Sequence, residues 1–202
     1  MQYIYLLFIS TVFIACTNII PSKVEYRVNS QVNVNVLSQS GCKTKSLRVA
    51  QAFSSSALRS QSMSYRLGDS KQYTYSESLW SMSPNRALTA EFLSMIRASK
   101  LFKNVEISKS RSRSDIIVEV NIEDFMQYFN DASTESFVNV VISLSLIDAR
   151  TNTVFANETF TKKMDVDELS SYGGVNALNK ALKDILLQSN IWLGEVCNDT
   201  RN

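Results

Sequence analysis

The chain has 202 residues, 45% of them hydrophobic, and its 21 basic and 19 acidic side chains give a formal net charge of +2. It contains no histidine, which excludes Ser-His-Asp and Cys-His triads, histidine metal ligands and an imidazole pH switch. The near-neutral charge argues against a dedicated nucleic-acid binder, because such proteins carry a strongly basic face. The length suits one substantial hydrophobic core.

The first predicted element is an apolar run of twelve residues, 4–15, that ends at Cys16. A membrane-spanning helix needs about 20 apolar residues, so the run is typical of a secretory signal peptide, which we place at residues 1–15. Residues 13–16, Phe-Ile-Ala-Cys, resemble a bacterial lipobox, in which the cysteine is lipidated. Two features depart from that pattern, since no basic residue precedes the apolar run and phenylalanine stands where leucine is usual.

Lipidation of Cys16 would anchor the mature chain, because its acyl chains bury enough methylene groups to hold a protein on a membrane. The lipobox implies that the mature protein begins at Cys16, and we assign residues 16–23 to a lipidated leader. Since no aspartate follows Cys16, the resemblance implies sorting to the outer membrane of a Gram-negative bacterium, facing the periplasm. The alternatives are an ordinary cleaved signal peptide and a buried N-terminal element with an unmodified cysteine.

Alternation of apolar and polar residues with a period of two predicts the strands of the first half of the chain. These are residues 24–28, 32–36 and 47–49, followed by a hairpin of residues 63–67 and 72–75 around Gly68-Asp69-Ser70-Lys71. Ser83 then precedes Pro84, a favourable start for a helix. Apolar residues at helical spacing continue this helix to about residue 99.

The second half of the chain continues with strands and ends in a helix. The predicted strands are residues 104–108, 115–125, 137–147 and 154–160, with the last two forming a long hairpin. A helix follows over residues 175–193, preceded by Gly173-Gly174 and followed by Gly194. This order of elements predicts one α/β domain, residues 24–197, built as a mixed sheet with helices packed on it, and a tail of residues 198–202.

Cys42 and Cys197 are the two cysteines inside this domain, one near each end. An exported protein enters an oxidising compartment, where such a pair can form a disulfide. The sequence leaves three arrangements open: an intramolecular disulfide, two free buried thiols, or an intermolecular bridge.

The middle of the chain combines a tyrosine-bearing hairpin, a tryptophan, a proline-started helix, a Leu-Phe-x-x-Val connection and an aspartate before the next strand. The residues are Tyr65, Tyr73, Tyr75, Trp80, Pro84, Leu101, Phe102, Val105 and Asp115. This combination resembles the ABC-type transport auxiliary lipoprotein family, which includes the lipoprotein partner of paraquat-inducible membrane proteins. With the lipobox and the order of elements, the resemblance covers nearly all of the mature chain. The serine-rich residues 54–64 and the cysteine pair are departures from it.

The resemblance implies a three-layer α/β fold related to the N-terminal domain of the Tol-system beta-propeller protein. It implies a non-enzymatic accessory subunit that contacts a periplasmic MCE-domain protein and serves an ABC permease and its ATPase in phospholipid transport between the two membranes. Contact with phospholipid and a homo-oligomeric state are compatible with that role, whereas a cofactor and nucleic acid are not expected. The alternatives are a structural or assembly lipoprotein of the outer membrane and a periplasmic hydrolase.

Tyr65, Tyr73, Tyr75 and Trp80 are the candidate residues for contact with a partner or lipid, because aromatic residues are enriched in the cores of interfaces. Tyr73 and Tyr75 share one face of a strand, and we expect alanine at both positions to weaken partner binding. The alternative is cross-strand packing of the rings, which we favour for Trp80.

Charged residues cluster in and after the connector behind the first helix. Five basic residues can face anionic head groups or an acidic partner, but their serine-rich setting is more typical of a solvated loop: Lys100, Lys103, Lys109, Arg111 and Arg113. Acidic residues of the next strand share one face, which is the pattern of a solvated strand rather than of a glycosidase pair: Asp115, Glu119 and Glu123. We predict no catalytic residue and no metal site.

Overall fold

The structure is a computed structural model and describes residues 22–34, 36 and 40–199. The predicted signal peptide, lipidated Cys16 and most of the leader lie outside the described residues. The elements are β1 (Val24–Tyr26), β2 (Ser46–Val49), β3 (Phe53–Ser54), a 3-10 turn (Ala57–Arg59), β4 (Ser62–Leu67), β5 (Lys71–Trp80), α1 (Pro84–Ser99), β6 (Asn104–Ile107), β7 (Ile116–Phe129), β8 (Ser136–Asp148), β9 (Thr153–Asp165) and α2 (Ser171–Asp199).

The longest strand, β7, organises a nine-stranded mixed sheet. Along one edge it pairs antiparallel with β8 over its whole length, and β8 continues into an antiparallel hairpin with β9. Along the other edge, three short strands, β2, β3 and β4, pair in parallel with successive parts of β7. β6 then extends the sheet beyond β2, while β5 and β1 extend it beyond β4.

One face of this sheet forms the hydrophobic core. In β8, Val138, Val140, Ile142 and Leu144 are fully buried, whereas the residues between them are partly exposed. Burial of each such side chain contributes about 1.5–3 kcal/mol. Helices α1 and α2 contact each other and cover this face. The predicted single domain, a mixed sheet with helices packed on it, is therefore confirmed. The described residues form two layers of regular structure, one sheet and one layer of helices, whereas the resemblance implies three layers.

The strand predicted at residues 32–36 is wrong, because residues 32–34 and 36 are not in a strand. The residues just before this segment, 29 and 30, form hydrogen bonds to both helices. The backbone N–H of Asn29 donates to Oδ1 of Asn179 in α2 (2.9 Å), and the hydroxyl of Ser30 donates to the carboxylate of Glu91 in α1. Val32 and Val34 pack against the core, whereas Val36 is 60% exposed, so period-two alternation here reflects one-sided packing without sheet pairing.

Helix α2 begins at Ser171, before Gly173-Gly174 rather than after them. Both glycines lie in its first turn at points of close approach. A Cβ on Gly173 would lie 2.0 Å from the carbonyl oxygen of Glu168, and a Cβ on Gly174 would lie 1.9 Å from Oε1 of Gln127. The glycine pair therefore lets the helix pack tightly on β7 and on its own preceding loop.

Cys42 and Cys197 form a disulfide with an Sγ–Sγ distance of 2.05 Å and a Cα–Cα distance of 5.2 Å. It joins the turn before β2 to the last turn of α2, across 155 residues of sequence. Both cysteines are buried. Of the three arrangements that the sequence leaves open, the structure contains the intramolecular one.

Candidate functional site

An open cleft of about 1030 Å³ lies at the end of the sheet where β2 and β7 begin and β8 ends. The disulfide and the last turn of α2 form another part of its lining. Small-molecule sites commonly have volumes of about 300–1,000 Å³. We call this feature the end cleft, and its size is sufficient for a ligand of several functional groups.

Apolar side chains from four different parts of the fold line the end cleft: Phe102, Leu146, Phe155 and Val196. Phe155 is 41% exposed and lies at a register shift between β8 and β9. Leu146 pairs with Ala156 and Ile147 pairs with Val154, so Phe155 has no partner directly opposite. Such bulges redirect a side chain away from the regular ladder, and here they leave a large aromatic ring open to the cleft.

Five basic side chains also line the end cleft. They come from the start of β2, from residues 108–115 between β6 and β7, which we call the connector, and from the turn after β8: Lys45, Arg48, Arg111, Arg113 and Arg150. Within residues 22–34, 36 and 40–199, the ion pairs are Lys71–Asp131 and Lys162–Asp184, both away from the cleft. The five cations of the cleft therefore have no carboxylate of the described chain within 4.0 Å, and their charge is available to an anion.

Two carboxylates of the end cleft, Asp115 and Asp148, are engaged by backbone groups. Asp115 accepts hydrogen bonds from the backbone N–H (2.7 Å) and the hydroxyl (2.8 Å) of Ser46, and these bonds, with nearby lysines, hold its pKa below the usual range. Asp148 accepts from the backbone N–H groups of Thr151 (3.0 Å) and Arg150 (2.8 Å), which likewise lower its pKa. Both carboxylates are ionised at neutral pH, so five cations and two anions leave the cleft with a net charge of +3.

Arg48 holds the basic connector in place. Its guanidinium Nη2 donates to the carbonyl oxygen of Ser112, between Arg111 and Arg113. Two buried polar atoms, Nε of Arg48 itself and Oγ of Ser114 two residues after Ser112, have no hydrogen-bond partner in the described structure. Unsatisfied buried donors are costly, so this part of the cleft retains hydrogen-bonding capacity.

The structure divides the basic cluster that the sequence analysis singled out. Arg111 and Arg113 line the end cleft, whereas Lys100, Lys103 and Lys109 do not. The sequence analysis missed Lys45, Arg48 and Arg150, which lie far from the connector along the chain. These residues come close to the connector only through the parallel pairing of β2 with β7 and through the β8–β9 turn. The local amino-acid composition predicts neither the pairing nor the position of the turn.

The candidate tyrosines lie at the opposite end of β7, on the β4–β5 hairpin. The ring centroid of Tyr65 is 5.7 Å from that of Tyr73, 4.5 Å from that of Tyr75 and 5.4 Å from that of Phe129. Tyr73 is 44% exposed. The rings therefore pack across the strands, as the alternative interpretation states, and Tyr73 is the member that also presents a large surface to solvent.

Tyr75 belongs to a polar network inside the protein. Its hydroxyl donates to Oε1 of Gln127 (2.9 Å), and Nε2 of Gln127 donates to Oγ of Ser136 (2.9 Å) and to the carbonyl oxygen of Ser170 (3.4 Å). Gln127 is buried. Burial and the neighbouring Tyr65 raise the pKa of Tyr75. Tyr75 is thus part of the link between the hairpin, β7 and the start of α2.

Trp80 is not available for an intermolecular contact. Only 4% of its surface is exposed, and its ring centroid lies 5.9 Å from that of Phe125 in β7. Its assignment as a candidate contact residue is wrong, and the packing alternative is correct, because Trp80 ends β5 on the buried face. A large aromatic side chain buries more apolar area there than any other residue type.

Among residues 22–34, 36 and 40–199, no group of three or more histidine, cysteine or acidic residues is arranged to hold a metal ion. Glu123 accepts a hydrogen bond from Ser143, and Asp124 accepts one from the hydroxyl of Tyr128 (2.6 Å). No helix within the described residues is long and apolar enough to cross a membrane.

Comparisons with known proteins define the fold. No protein-family model matches the chain, and no curated protein matches it. Among solved structures, a protein from Xanthomonas campestris assigned to the DUF330 family is 17% identical, with a TM-score of 0.75 over 89% of this chain and 99% of the other. An uncharacterized protein is 12% identical, with a TM-score of 0.62 over 85% and 99% of the two chains.

A putative lipoprotein from Caulobacter crescentus is more distant, with 6% identity and a TM-score of 0.41 over 75% of this chain and 91% of the other. The first two structures match almost end to end, so the chain shares their complete fold, and at 17% and 12% identity the likeness concerns the fold alone.

Proposed function

We propose that this protein is a lipid-anchored accessory subunit of an ABC-type intermembrane lipid-transport system and that it acts by binding rather than by catalysis. The observation that carries the proposal is the end cleft, in which unpaired cations stand beside apolar side chains. This is the surface chemistry that an amphiphilic anion requires. The lipobox-like residues before Cys16 and the family resemblance of the sequence support the same role.

In this proposal, Cys16 carries the lipid anchor and places the domain on the periplasmic face of the outer membrane. The partners are a periplasmic MCE-domain protein and, with it, the permease and ATPase of the same system. Because ATP hydrolysis belongs to the ATPase, this subunit needs no nucleophile or general base of its own, in keeping with a sequence that has no histidine.

The anchor is tested by fractionating cells that express the full chain or its Cys16→Ser variant. We expect the unmodified chain in the outer-membrane fraction and the variant in the soluble periplasmic fraction, because the variant lacks the sulfur that bears the lipid. Metabolic labelling with a fatty acid should mark the former alone. Membrane association that persists in the variant contradicts the anchor.

The role in transport is tested by crosslinking in intact cells, followed by purification of the full chain. We expect an MCE-domain protein, together with a permease and an ATPase, among the crosslinked partners. Recovery of outer-membrane assembly or cell-wall proteins without an MCE-domain protein would instead favour the alternative, a structural or assembly lipoprotein.

The exposed part of the tyrosine hairpin is a candidate contact for the MCE-domain protein. Tyr73→Ala removes an exposed ring without touching the Gln127 network, and Tyr172→Ala removes a similarly exposed tyrosine, 53% exposed, from the start of α2. We expect Tyr73→Ala to reduce recovery of the MCE-domain protein and Tyr172→Ala to leave it unchanged. Equal recovery with both variants excludes Tyr73 from the interface.

A further inference from the structure

We infer that the end cleft binds the phosphate-bearing head of an anionic amphiphile, with the apolar part of the ligand held against the exposed ring of Phe155. The inference rests on the proposed function for its cellular setting and on the cleft's own residues for its chemistry. It assigns a ligand to this subunit itself, so cargo recognition is not left entirely to the partners.

The charge of the end cleft sets the sign and the type of group that it binds. Four of its five cations are arginines, and the planar guanidinium group binds phosphate oxygens through two parallel hydrogen bonds. None of these side chains is within 4.0 Å of a carboxylate of the described chain. An incoming anion therefore displaces no existing ion pair, and the concentrated positive charge raises its local concentration.

The connector before β7 gives the head group a defined position. Arg111 and Arg113 flank the carbonyl group of Ser112 that Arg48 holds, so three guanidinium groups belong to one short stretch of the rim. The unsatisfied Nε of Arg48 and Oγ of Ser114 lie in the same stretch. An anion drawn between Arg48 and the connector supplies acceptor oxygens to donors that otherwise have none.

The apolar residues distinguish an amphiphile from a free anion. Phe155 is turned out of the β8–β9 ladder and is 41% exposed, and a volume of about 1030 Å³ is far larger than an inorganic phosphate requires. Exposed aromatic surface next to a cationic rim is matched by a ligand with a hydrocarbon part next to a charged head. We therefore assign the site to a phosphate-bearing lipid and not to phosphate alone.

The test uses calorimetric titration of the full chain carrying Cys16→Ser, which leaves every described residue unchanged. The probes are dihexanoyl phosphatidylglycerol below its micellar concentration, inorganic phosphate, and the uncharged hexyl maltoside. We expect the phosphatidylglycerol to bind most tightly, with an affinity that falls as salt is added. Inorganic phosphate should bind more weakly because it lacks the apolar contacts, and the maltoside more weakly because it lacks the charge.

Matched pairs of variants separate the site from general effects of charge and hydrophobicity. Arg111→Gln/Arg113→Gln should weaken phosphatidylglycerol binding about tenfold or more. Arg59→Gln/Arg86→Gln removes the same charge from exposed positions outside the cleft and should leave binding unchanged. Phe155→Ser should weaken binding of the lipid but not of phosphate, whereas Phe53→Ser, at a ring 59% exposed on β3, should affect neither.

Three results overturn the inference: no binding of phosphatidylglycerol by the protein, equal losses in Arg111→Gln/Arg113→Gln and Arg59→Gln/Arg86→Gln, or phosphate binding as tight as lipid binding. The last result would make the cleft a site for free anions. Failure of the proposed function is separate, since it appears as the absence of an MCE-domain partner in cells and does not depend on these titrations.

Discussion

The disulfide between Cys42 and Cys197 provides the sharpest test of the fold, because it joins the two ends of the domain. We expect the Cys42→Ala/Cys197→Ala variant to be less stable to unfolding than the oxidised protein. The bond closes a loop of 155 residues and so restricts the unfolded chain far more than the folded one. Cys16→Ser is included in every protein to remove the remaining thiol.

The magnitude follows from loop-closure entropy. For a loop of this length the chain-entropy model gives a stabilisation of about 5 kcal/mol at 25 °C, and measured losses on removing a native disulfide are about 2–5 kcal/mol. Total stabilities are about 5–15 kcal/mol, so the loss is a large fraction of the whole. At about 2–4 °C per kcal/mol for a domain of this size, a loss of about 2–5 kcal/mol corresponds to a fall in Tm of roughly 4–20 °C.

The assay is urea unfolding of three samples: the oxidised protein, the same protein with a reductant, and the double alanine variant. Reduction and the variant should lower the midpoint by similar amounts, and the reductant should have no effect on the variant. The m-value should rise when the bond is absent, because the unfolded chain exposes more surface without the cross-link.

Two results would refute the reasoning. The first is alkylation of both cysteines in the unreduced protein, detected as a mass increase at Cys42 and Cys197, which would show that the bond does not form. The second is equal urea midpoints for the oxidised and the double alanine proteins despite a verified bond. That outcome would mean that the unfolded state is already compact enough for the link to cost it little entropy.

Three further predictions concern single residues, each measured by urea or thermal unfolding. Gly174→Ala should destabilise the protein by about 1–3 kcal/mol, because the new Cβ displaces the buried amide of Gln127 from its hydrogen bonds; an unchanged midpoint would contradict that close approach. The hydrogen bonds from Ser46 lower the pKa of Asp115, so the ionised carboxylate stabilises the fold above about pH 4, and this contribution is lost as the pH falls through the folded pKa. Asp115→Asn should therefore flatten the fall in Tm between about pH 5 and 3. A curve of Tm against pH that runs parallel to that of the unmodified protein would refute this prediction. Burial raises the pKa of Tyr75, so the stability of the fold should fall as the pH rises above about 10. Tyr75→Phe should make this alkaline loss of stability less steep and should also lower the stability at neutral pH. An equally steep alkaline loss in the variant would count against the prediction.

The elements that local periodicity determines were predictable. Helix α1 begins at Pro84 and ends at Ser99 as expected, and β8, predicted at residues 137–147, spans Ser136–Asp148. In both, the alternation of buried and exposed positions is set by contacts with one continuous core. The order of strands in the sheet was not predictable, because β2, β3 and β4 pair with β7 across 60 residues or more of sequence. The few residues of each short strand do not determine which strand of the sheet it pairs with.

The site was less predictable than the fold, for a related reason. Aromatic residues in the sequence indicated the hairpin as a contact site, but composition does not distinguish a ring that packs from one that is exposed. Trp80 is buried, and Tyr75 is partly buried with its hydroxyl bonded to Gln127. The basic residues of the connector indicated a candidate anion site, yet Arg48 from β2 and Arg150 from the β8–β9 turn also line the end cleft. Those residues come together only through non-local pairing.

The end cleft and Tyr73 are also far apart, which bears on how the protein would work. The cleft lies where β7 begins, at Ile116, and the tyrosine hairpin packs where β7 ends, at Phe129. Thirteen residue steps of an extended strand span about 40 Å. Groups at that separation are too distant for direct contact and should affect binding independently.

Combining Tyr73→Ala with Arg111→Gln/Arg113→Gln tests this separation. If a partner binds the hairpin while the ligand occupies the cleft, the loss of partner recovery caused by Tyr73→Ala should be the same in both backgrounds, with a coupling below about 0.5 kcal/mol. A larger coupling would require that ligand binding changes an element that runs between the two ends, such as β7 or α2. Additivity would support a subunit that holds its ligand at one end of a rigid sheet and its partner at the other.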